Sequence, residues 1–338
     1  EDELENTHTF DVRDLKSSLV TRVRSLDVDE EGGRLLVGTQ GSEIFEMSII
    51  DGSNVNGTGP LIKGHHSGEV WGLATHPSKL NYATLGDDGV LSLWDAATFK
   101  SFKYLKLDTG GRTLAYDPSG ELLAVGIGKP GTKKAGKKDG TFIVFDSSSL
   151  SQVHEDRDSN DCIMDIKFSP DGKTLAVASF DTNVYLYNAK DGYSKRAVIK
   201  CAGSWVTHID FTVDSQYLQI SDGAHSLVFA ECTNGVQIPT PASLKDATFA
   251  TVTTPLGWGV KGWWPKNIKE EVDVVSCDRS MSSTEVSSLD NYGRLGVWRF
   301  PCHADNPGHL TYRGHSIGGG KVAYLAGDSA LVSVGAKD

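Results

Sequence analysis

The chain has 338 residues, of which 38% are hydrophobic and 9% aromatic, so it can bury a sizeable core and is not disordered as a whole. It contains 33 Lys and Arg residues and 44 Asp and Glu residues, and the resulting formal charge of -11 argues against broad affinity for nucleic acid or anionic lipid. No uncharged apolar run reaches the roughly 18 residues of a membrane-spanning helix, so we expect no membrane partner.

Internal repeats are the main pattern along the chain. A short apolar strand recurs at intervals of roughly 40–50 residues. Its four clearest copies read VWGLATHP at 70–77, TLAYDP at 113–118, IMDIKFSP at 163–170 and VTHIDF at 206–211. After the last three copies a polar turn leads to a second apolar strand, at 122–127, 174–179 and 217–221.

A third strand follows a tight turn that contains aspartate. In three units this aspartate precedes an aromatic residue by six positions, in the pairs Asp88 and Trp94, Asp139 and Phe145, and Asp181 and Tyr187. Turns of this composition join antiparallel strands. The small sheet that results has two apolar faces, which it can bury only by stacking against its neighbours.

The repeat count predicts an all-β, seven-bladed propeller formed as a single domain over residues 1–338. The seven units begin near Arg22, Glu69, Arg112, Cys162, Trp205, Val272 and Lys321. The last unit supplies only two strands, at 321–327 and 330–336. We expect residues 7–12 to donate an outer strand to it, because closure by a terminal strand removes an exposed sheet edge.

The first departure from the repeat is a cationic insert at 129–138 in the third unit. Its five lysines are Lys129, Lys133, Lys134, Lys137 and Lys138. Together with Gly and Pro they predict a solvated hairpin tip. The insert is interpreted either as a contact for an acidic partner or as an ordinary solvated loop, and the sequence leaves both open.

The second departure is the long passage 247–273, in which Trp258, Trp263 and Trp264 fall within seven residues. Exposed tryptophans would mark a protein interface, since this residue is enriched at binding hot spots. The alternative, which we favour, is that the three rings form a satellite core at the rim of an enlarged blade.

The sequence predicts no enzyme, no cofactor and no metal site. The recurring acids Asp88, Asp139, Asp181 and Asp290 occupy repeated turns, where aspartate bonds to the local backbone, and repetition indicates architecture. None of the common catalytic or phosphate-binding motifs occurs. The five cysteines are widely spaced, contain no C-x-x-C pair and are expected to be buried thiols in a reducing compartment.

The segment from Gly64-His65 to Trp94-Asp95 resembles a WD repeat. That resemblance implies a structural hydrogen-bond relay of His65, Thr84, Asp88 and Trp94, which is scaffolding and not a catalytic triad.

Four less generic phrases narrow the resemblance. They read GTQGSEI at 38–44, EVWGLATHPS at 69–78, GSWVTHID at 203–210 and LGWGVKGWWP at 256–265. In this order they are similar to the echinoderm microtubule-associated protein-like family, and more specifically to the second of its two tandem propellers.

The resemblance implies a non-catalytic interaction module on the cytoskeleton that binds tubulin, microtubules or a microtubule-associated protein in the cytoplasm, with the cilium or spindle as places of action. The lysine insert offers a route, because tubulin is acidic. The alternative is a general scaffold in a signalling or ciliary complex. We expect the fragment to be a monomeric ring that does not bind nucleic acid.

Overall fold

A computed structural model describes residues 8–15, 20, 22–29, 31–57, 59–130, 138–201, 203–264, 272–305, 307–316 and 318–335. The chain divides into two compact units, residues 1–67 and residues 68–338. The single domain over 1–338 stays a prediction. In the part of the chain that the structure describes, no helix is both long and apolar enough to cross a membrane.

The first unit contains one antiparallel sheet with the strands in chain order. Its strands are β1 (Val23–Asp29), β2 (Arg34–Thr39), β3 (Glu43–Ser48) and β4 (Ile62–Lys63). One face of the sheet is buried through Val37, Phe45 and Met47. This alternation of buried and exposed side chains is typical of a sheet packed on one side.

The start of the chain differs from the predicted outer strand. Residues 8–11 have no regular structure, and Val12–Asp14 is a short 3₁₀ helix. Phe10, Val12 and Leu15 pack on Val37 and its neighbours within the same unit. The segment therefore covers the apolar face of its own unit, and the strand that we predicted at 7–12 is wrong for the described residues.

The second unit contains six sheets, counted over its described residues. The second sheet has β5 (Val70–Thr75), β6 (Asn81–Gly86), β7 (Val90–Asp95) and β8 (Lys100–Lys106), and the third has β9 (Gly111–Tyr116), β10 (Leu122–Ile127), β11 (Phe142–Asp146) and β12 (Gln152–Asp156). The fourth has β13 (Ile163–Phe168), β14 (Thr174–Ser179), β15 (Asn183–Asn188) and β16 (Ser194–Lys200), and the fifth has β17 (Val206–Phe211), β18 (Tyr217–Asp222) and β19 (Leu227–Glu231). The sixth has β20 (Val274–Arg279), β21 (Glu285–Asp290), β22 (Arg294–Arg299) and β23 (His309–Arg313), and the seventh has β24 (Gly319–Tyr324) and β25 (Leu331–Gly335). Three further 3₁₀ helices cover Pro241–Leu244, Trp258–Trp263 and Ala326–Asp328.

All pairings are antiparallel, and each sheet begins within two residues of a predicted repeat unit. The all-β, strand-rich architecture predicted from the repeats is therefore confirmed. The apolar cores of the second unit lie between neighbouring sheets. Leu85 of the second sheet packs with Val125 of the third, and Val144 of the third packs with Leu175 of the fourth. Every residue of β14 is buried, as expected for a strand covered on both faces.

The turn aspartates bond to the backbone, as their repetition indicated. Asp88 accepts a hydrogen bond from the backbone N–H of Val90 at 3.0 Å, and Asp290 accepts one from Tyr292 at 2.9 Å. All five cysteines are buried and free, which confirms the expected buried thiols. These residues thus belong to the architecture of the repeat.

The first strands of the second unit pack side by side. β5 packs on β9, β9 on β13 and β13 on β17, while β20 packs on β24 and β24 on β5. Residues 249–254 lie between β17 and β20. On one side the N–H of Ala250 donates to the carbonyl of Phe211 at 2.8 Å, and on the other the thiol of Cys277 donates to the carbonyl of Val252 at 3.5 Å. An irregular segment thus contacts both of these first strands.

Gly140, in the turn before β11, occupies a tightly packed position of the repeat. Its φ is +86°, and a Cβ there would lie 2.5 Å from the carbonyl oxygen of Ser159. Gly192 also has a positive φ, +54°, but a Cβ there meets nothing within 4 Å. We expect Gly140→Ala to lower the free energy of unfolding by about 2–4 kcal/mol, since strain and overlap add, against about 1 kcal/mol for Gly192→Ala. Urea unfolding followed by circular dichroism measures both, and equal losses would contradict the packing described.

Candidate functional site

The described lysines of the cationic insert are already paired. The insert joins β10 to β11. The ammonium of Lys129 lies 2.7 Å from a carboxylate oxygen of Asp87, and that of Lys138 lies 2.8 Å from Asp108 and 3.9 Å from Glu155. The remaining lysines of the insert lie outside the described residues: Lys133, Lys134 and Lys137. The ends of the insert therefore carry less free positive charge than the sequence suggests.

The three clustered tryptophans have two different environments. The indole of Trp263 is buried and donates to the carbonyl of Pro255 at 3.3 Å, and that of Trp264 donates to the same oxygen at 3.1 Å. Trp258 is 38% exposed and stacks on Phe229, with ring centroids 5.5 Å apart. Trp263 and Trp264 thus anchor the passage, while Trp258 presents a ring to solvent.

A cleft of about 590 Å³ lies beside Trp258. Its main lining residues are Lys245, Phe249, Trp258, Lys261, Arg279 and Phe300. We call it the Trp258 cleft. The cleft is lined mainly by the irregular passage 245–261 and by residues of the sixth sheet and the loop after β22. The departure from the repeat therefore contributes most of this concave surface.

Arg279 joins the passage to the sixth sheet at the wall of the Trp258 cleft. One terminal nitrogen, Nη2, donates to the carbonyls of Phe249 at 3.0 Å and Ala250 at 2.9 Å. Its guanidinium carbon lies 5.4 Å from the centre of the Phe300 ring, a cation–π distance. The Nε atom is buried and has no hydrogen-bond partner in the described structure.

Asp210 holds the same passage from the other side. Its side chain is fully buried and accepts hydrogen bonds from the ammonium of Lys167 at 2.6 Å and from the N–H groups of Thr253 and Thr254 at 3.0 and 2.8 Å. Burial opposes ionisation of this carboxyl group, but Lys167 and the hydrogen bonds hold its pKa at about 2. The carboxylate is therefore a structural anchor with its acceptor positions occupied.

A second cavity, of about 230 Å³, lies at one end of the first strands. Asp165, His208 and Lys321 all line it, and the ammonium of Lys321 lies 3.5 Å from the Asp165 carboxylate. Burial lowers the pKa of His208 to about 4, so its imidazole is neutral at pH 7. Among the described residues, no group of three or more His, Cys, Asp or Glu side chains could hold a metal ion.

Part of the predicted relay is visible within the second unit. The indole of Trp94 donates to the hydroxyl of Thr84 at 2.7 Å, and Asp88 closes the adjoining turn. His65 belongs to the first unit, so the four-residue relay stays a prediction. The sixth sheet repeats the pair, because Trp298 donates to Ser288 at 2.8 Å.

The sequence pattern gives no sign of the basic residues of the Trp258 cleft. Lys245, Lys261 and Arg279 are spread over 35 positions and form no charge run. Only the unusual length of the passage and its three clustered tryptophans marked the region. Arg279 is the last residue of β20, a strand where a repeat-based interpretation expects structural side chains.

The comparisons with known proteins agree with the fold. A family model described as the echinoderm microtubule-associated protein second beta-propeller matches residues 70–338. The chain is 31% identical over 327 residues to echinoderm microtubule-associated protein-like 2 of Mus musculus, covering 94% of this chain and 48% of the relative. It is 31% identical over 297 residues to the 77 kDa echinoderm microtubule-associated protein of Strongylocentrotus purpuratus, covering 86% of this chain and 41% of the relative. The chain thus spans about half the length, or less, of these curated relatives.

The Lys167–Asp210 pair provides a stability test. Lys167→Met keeps the aliphatic stem but leaves Asp210 buried without its cation, so we expect a loss of about 3–5 kcal/mol in the free energy of unfolding. Lys173→Met is the matched control. Its ammonium lies 3.5 Å from Asp171 with 73% of the side chain exposed, and its loss should cost less than about 0.5 kcal/mol. Similar small losses in urea titrations of the two variants would contradict the anchoring role of Asp210.

Asp278 predicts a pH dependence of stability. Burial raises its pKa to about 7 from the ordinary 3.8, with a further contribution from the negative charge of Asp210. The folded state therefore keeps a proton that the unfolded state releases, so this group's contribution to stability falls as the pH rises from about 4 to 7. Asp278→Asn imitates the neutral form. Relative to the variant, the wild type should lose on the order of 2 kcal/mol of unfolding free energy between pH 5 and pH 8.

The control for this pH test is Asp146→Asn. Hydrogen bonds from Ser148 and Ser149 hold the pKa of Asp146 far below its usual range, so its carboxylate is charged throughout pH 5–8. The effect of this substitution should be the same at both pH values. If Asp278→Asn behaves in the same way, Asp278 is not protonated in the folded protein at pH 5.

Proposed function

The chain belongs to the echinoderm microtubule-associated protein-like family, and we propose that it is a non-catalytic interaction module that binds tubulin or a microtubule-associated partner. The family match is the observation that carries this proposal. The similar relatives are named as microtubule-associated proteins, and the match covers nearly the whole chain. We place the module in the cytoplasm, on the cytoskeleton, as a monomer that binds neither nucleic acid nor membrane.

The arrangement of the charged groups supports a binding role. The most deeply buried carboxylate, Asp210, has structural donors at its acceptor positions, and the turn aspartates bond to the backbone. Asp165 is likewise paired with Lys321. These particular carboxylates are therefore occupied and not free to attack a substrate, as a nucleophile in a hydrolytic site would have to be.

As an alternative to the predicted ring over residues 1–338, which counts the unit that begins near Arg22 as a blade, we also propose that the second unit closes as a propeller with seven positions. Six are occupied by its sheets and the seventh by residues 249–254. Support comes from the order in which the first strands pack, which returns from β24 to β5, and from the bonds that residues 249–254 make to β17 and β20.

Sedimentation with microtubules tests the function. We expect the 338-residue chain to pellet with microtubules at low salt and to be released as salt rises, since contacts between exposed charges are screened over about 10 Å at 0.1 M. Changing Lys133, Lys134, Lys137 and Lys138 to Ala should reduce pelleting severalfold if the insert meets the acidic partner. The measurement is the bound fraction against microtubule concentration.

The matched control changes four exposed lysines outside the insert, Lys79, Lys100, Lys173 and Lys190, to Ala and so removes the same charge. It should pellet like the wild type. Failure of the wild type to pellet at low salt would exclude direct binding by this chain. In that case capture of a different cytosolic protein would support the general scaffold instead. If the wild type pellets and the two variants pellet equally, the insert is excluded as the microtubule contact.

A further inference from the structure

We infer that the Trp258 cleft is a docking site for an acidic peptide segment that carries an aromatic side chain. This inference identifies a surface through which the module would meet an acidic protein partner, and in that respect it rests on the proposed function. It assigns the contact to side chains that the described structure holds in place, outside the lysine insert.

The first argument is the charge of the lining. Lys245, Lys261 and Arg279 contribute three positive charges, against the single carboxylate of Asp246. The cleft is therefore locally positive on a chain whose net charge is -11. Neither Lys245 nor Lys261 forms an ion pair with another described residue. Both are exposed, so a bound carboxylate could reach them without breaking an internal contact.

The second argument is the aromatic wall. Phe249 is buried, Trp258 is partly exposed and Phe300 is partly buried, and all three line the cleft. Trp258 is held by its stack on the buried Phe229, and the two rings are only 8° from parallel. Because this ring is already fixed, binding an aromatic side chain against it costs little further side-chain entropy.

The third argument is the arginine in the wall. The guanidinium of Arg279 is held by two backbone carbonyls through one nitrogen and lies over the Phe300 ring, so its position beside the cleft is fixed before a segment binds. Arginine also recognises carboxylates in fixed geometry.

The size of the cleft favours a peptide over a compact ion. A volume of about 590 Å³ falls in the range of pockets that hold drug-sized molecules, and it accommodates an aromatic side chain with its flanking residues. The lysines at the rim and the aromatic rings within match acidic residues that flank a central aromatic side chain. A segment without the aromatic side chain would leave these rings in contact with water.

Fluorescence anisotropy of a labelled peptide tests the inference. The probe has four glutamates around one phenylalanine, and we expect the 338-residue chain to bind it below about 1 mM and more weakly as salt rises. Replacing the glutamates by lysine should abolish binding, and replacing the phenylalanine by glycine should weaken it. No binding of the acidic aromatic probe by the wild type would overturn the inference.

Two double variants localise the site. K245A/K261A should bind the probe about tenfold more weakly, whereas K173A/K190A, which removes the same charge elsewhere, should bind like the wild type. The four lysines are exposed, so the variants should fold, and thermal unfolding checks this. Trp258→Ala should weaken binding further, since it removes the aromatic wall. Equal affinities of the two double variants would overturn the assignment to this cleft.

Parallel sedimentation separates this inference from the proposed function. A chain that binds the probe through Lys245 and Lys261 but does not pellet with microtubules would support the cleft and exclude direct microtubule binding by this chain. A chain that pellets with microtubules but does not bind the probe would overturn the cleft alone.

Discussion

The buried carboxylate of Asp210 holds the irregular segment that interrupts the repeat between the fifth and sixth sheets. Asp210 lies on β17. It forms an ion pair with Lys167 of the fourth sheet and accepts hydrogen bonds from the backbone N–H groups of Thr253 and Thr254. Removing a charge from water costs several kcal/mol, and only a full set of donors offsets that cost. The residues that satisfy Asp210 are therefore held together in one arrangement, although they lie more than 40 positions apart along the chain.

The shape of the following segment depends on this anchor. With Thr253 and Thr254 held against β17 and the carbonyls of Phe249 and Ala250 held by Arg279, the chain is fixed on both sides before it reaches Pro255. The carbonyl of Pro255 then accepts hydrogen bonds from two indoles, which fixes the 3₁₀ helix Trp258–Trp263. A cleft built on irregular backbone thus has walls set by buried polar contacts.

The sequence predicted the regular part of the fold well, because the repeat places aspartate, glycine and aromatic residues at positions where local turn chemistry decides the structure. The prediction failed where contacts between residues far apart in the chain determine the structure. Residues 8–12 have the sequence of a strand, but Phe10 and Val12 instead pack on the apolar face of their own unit. Trp258, Trp263 and Trp264 are the same amino acid within seven positions, and only the tertiary fold makes two of them anchors and one a surface ring.

Charge density along the sequence is likewise a poor guide to where an acidic partner binds. Lys129 and Lys138 are conspicuous in a lysine-rich run, yet in the fold they face Asp87, Asp108 and Glu155, so a partner would have to compete with internal carboxylates. Lys245 and Lys261 belong to no lysine-rich run and form no ion pair with a described residue, although the carboxylate of Asp246 lines the same cleft. Since exposed pairs contribute at most about 1 kcal/mol each, affinity depends on charges that are free and on walls that are already ordered. The cleft has both the free charges and the ordered walls, because an irregular segment anchored by Asp210 interrupts the regular repeat here.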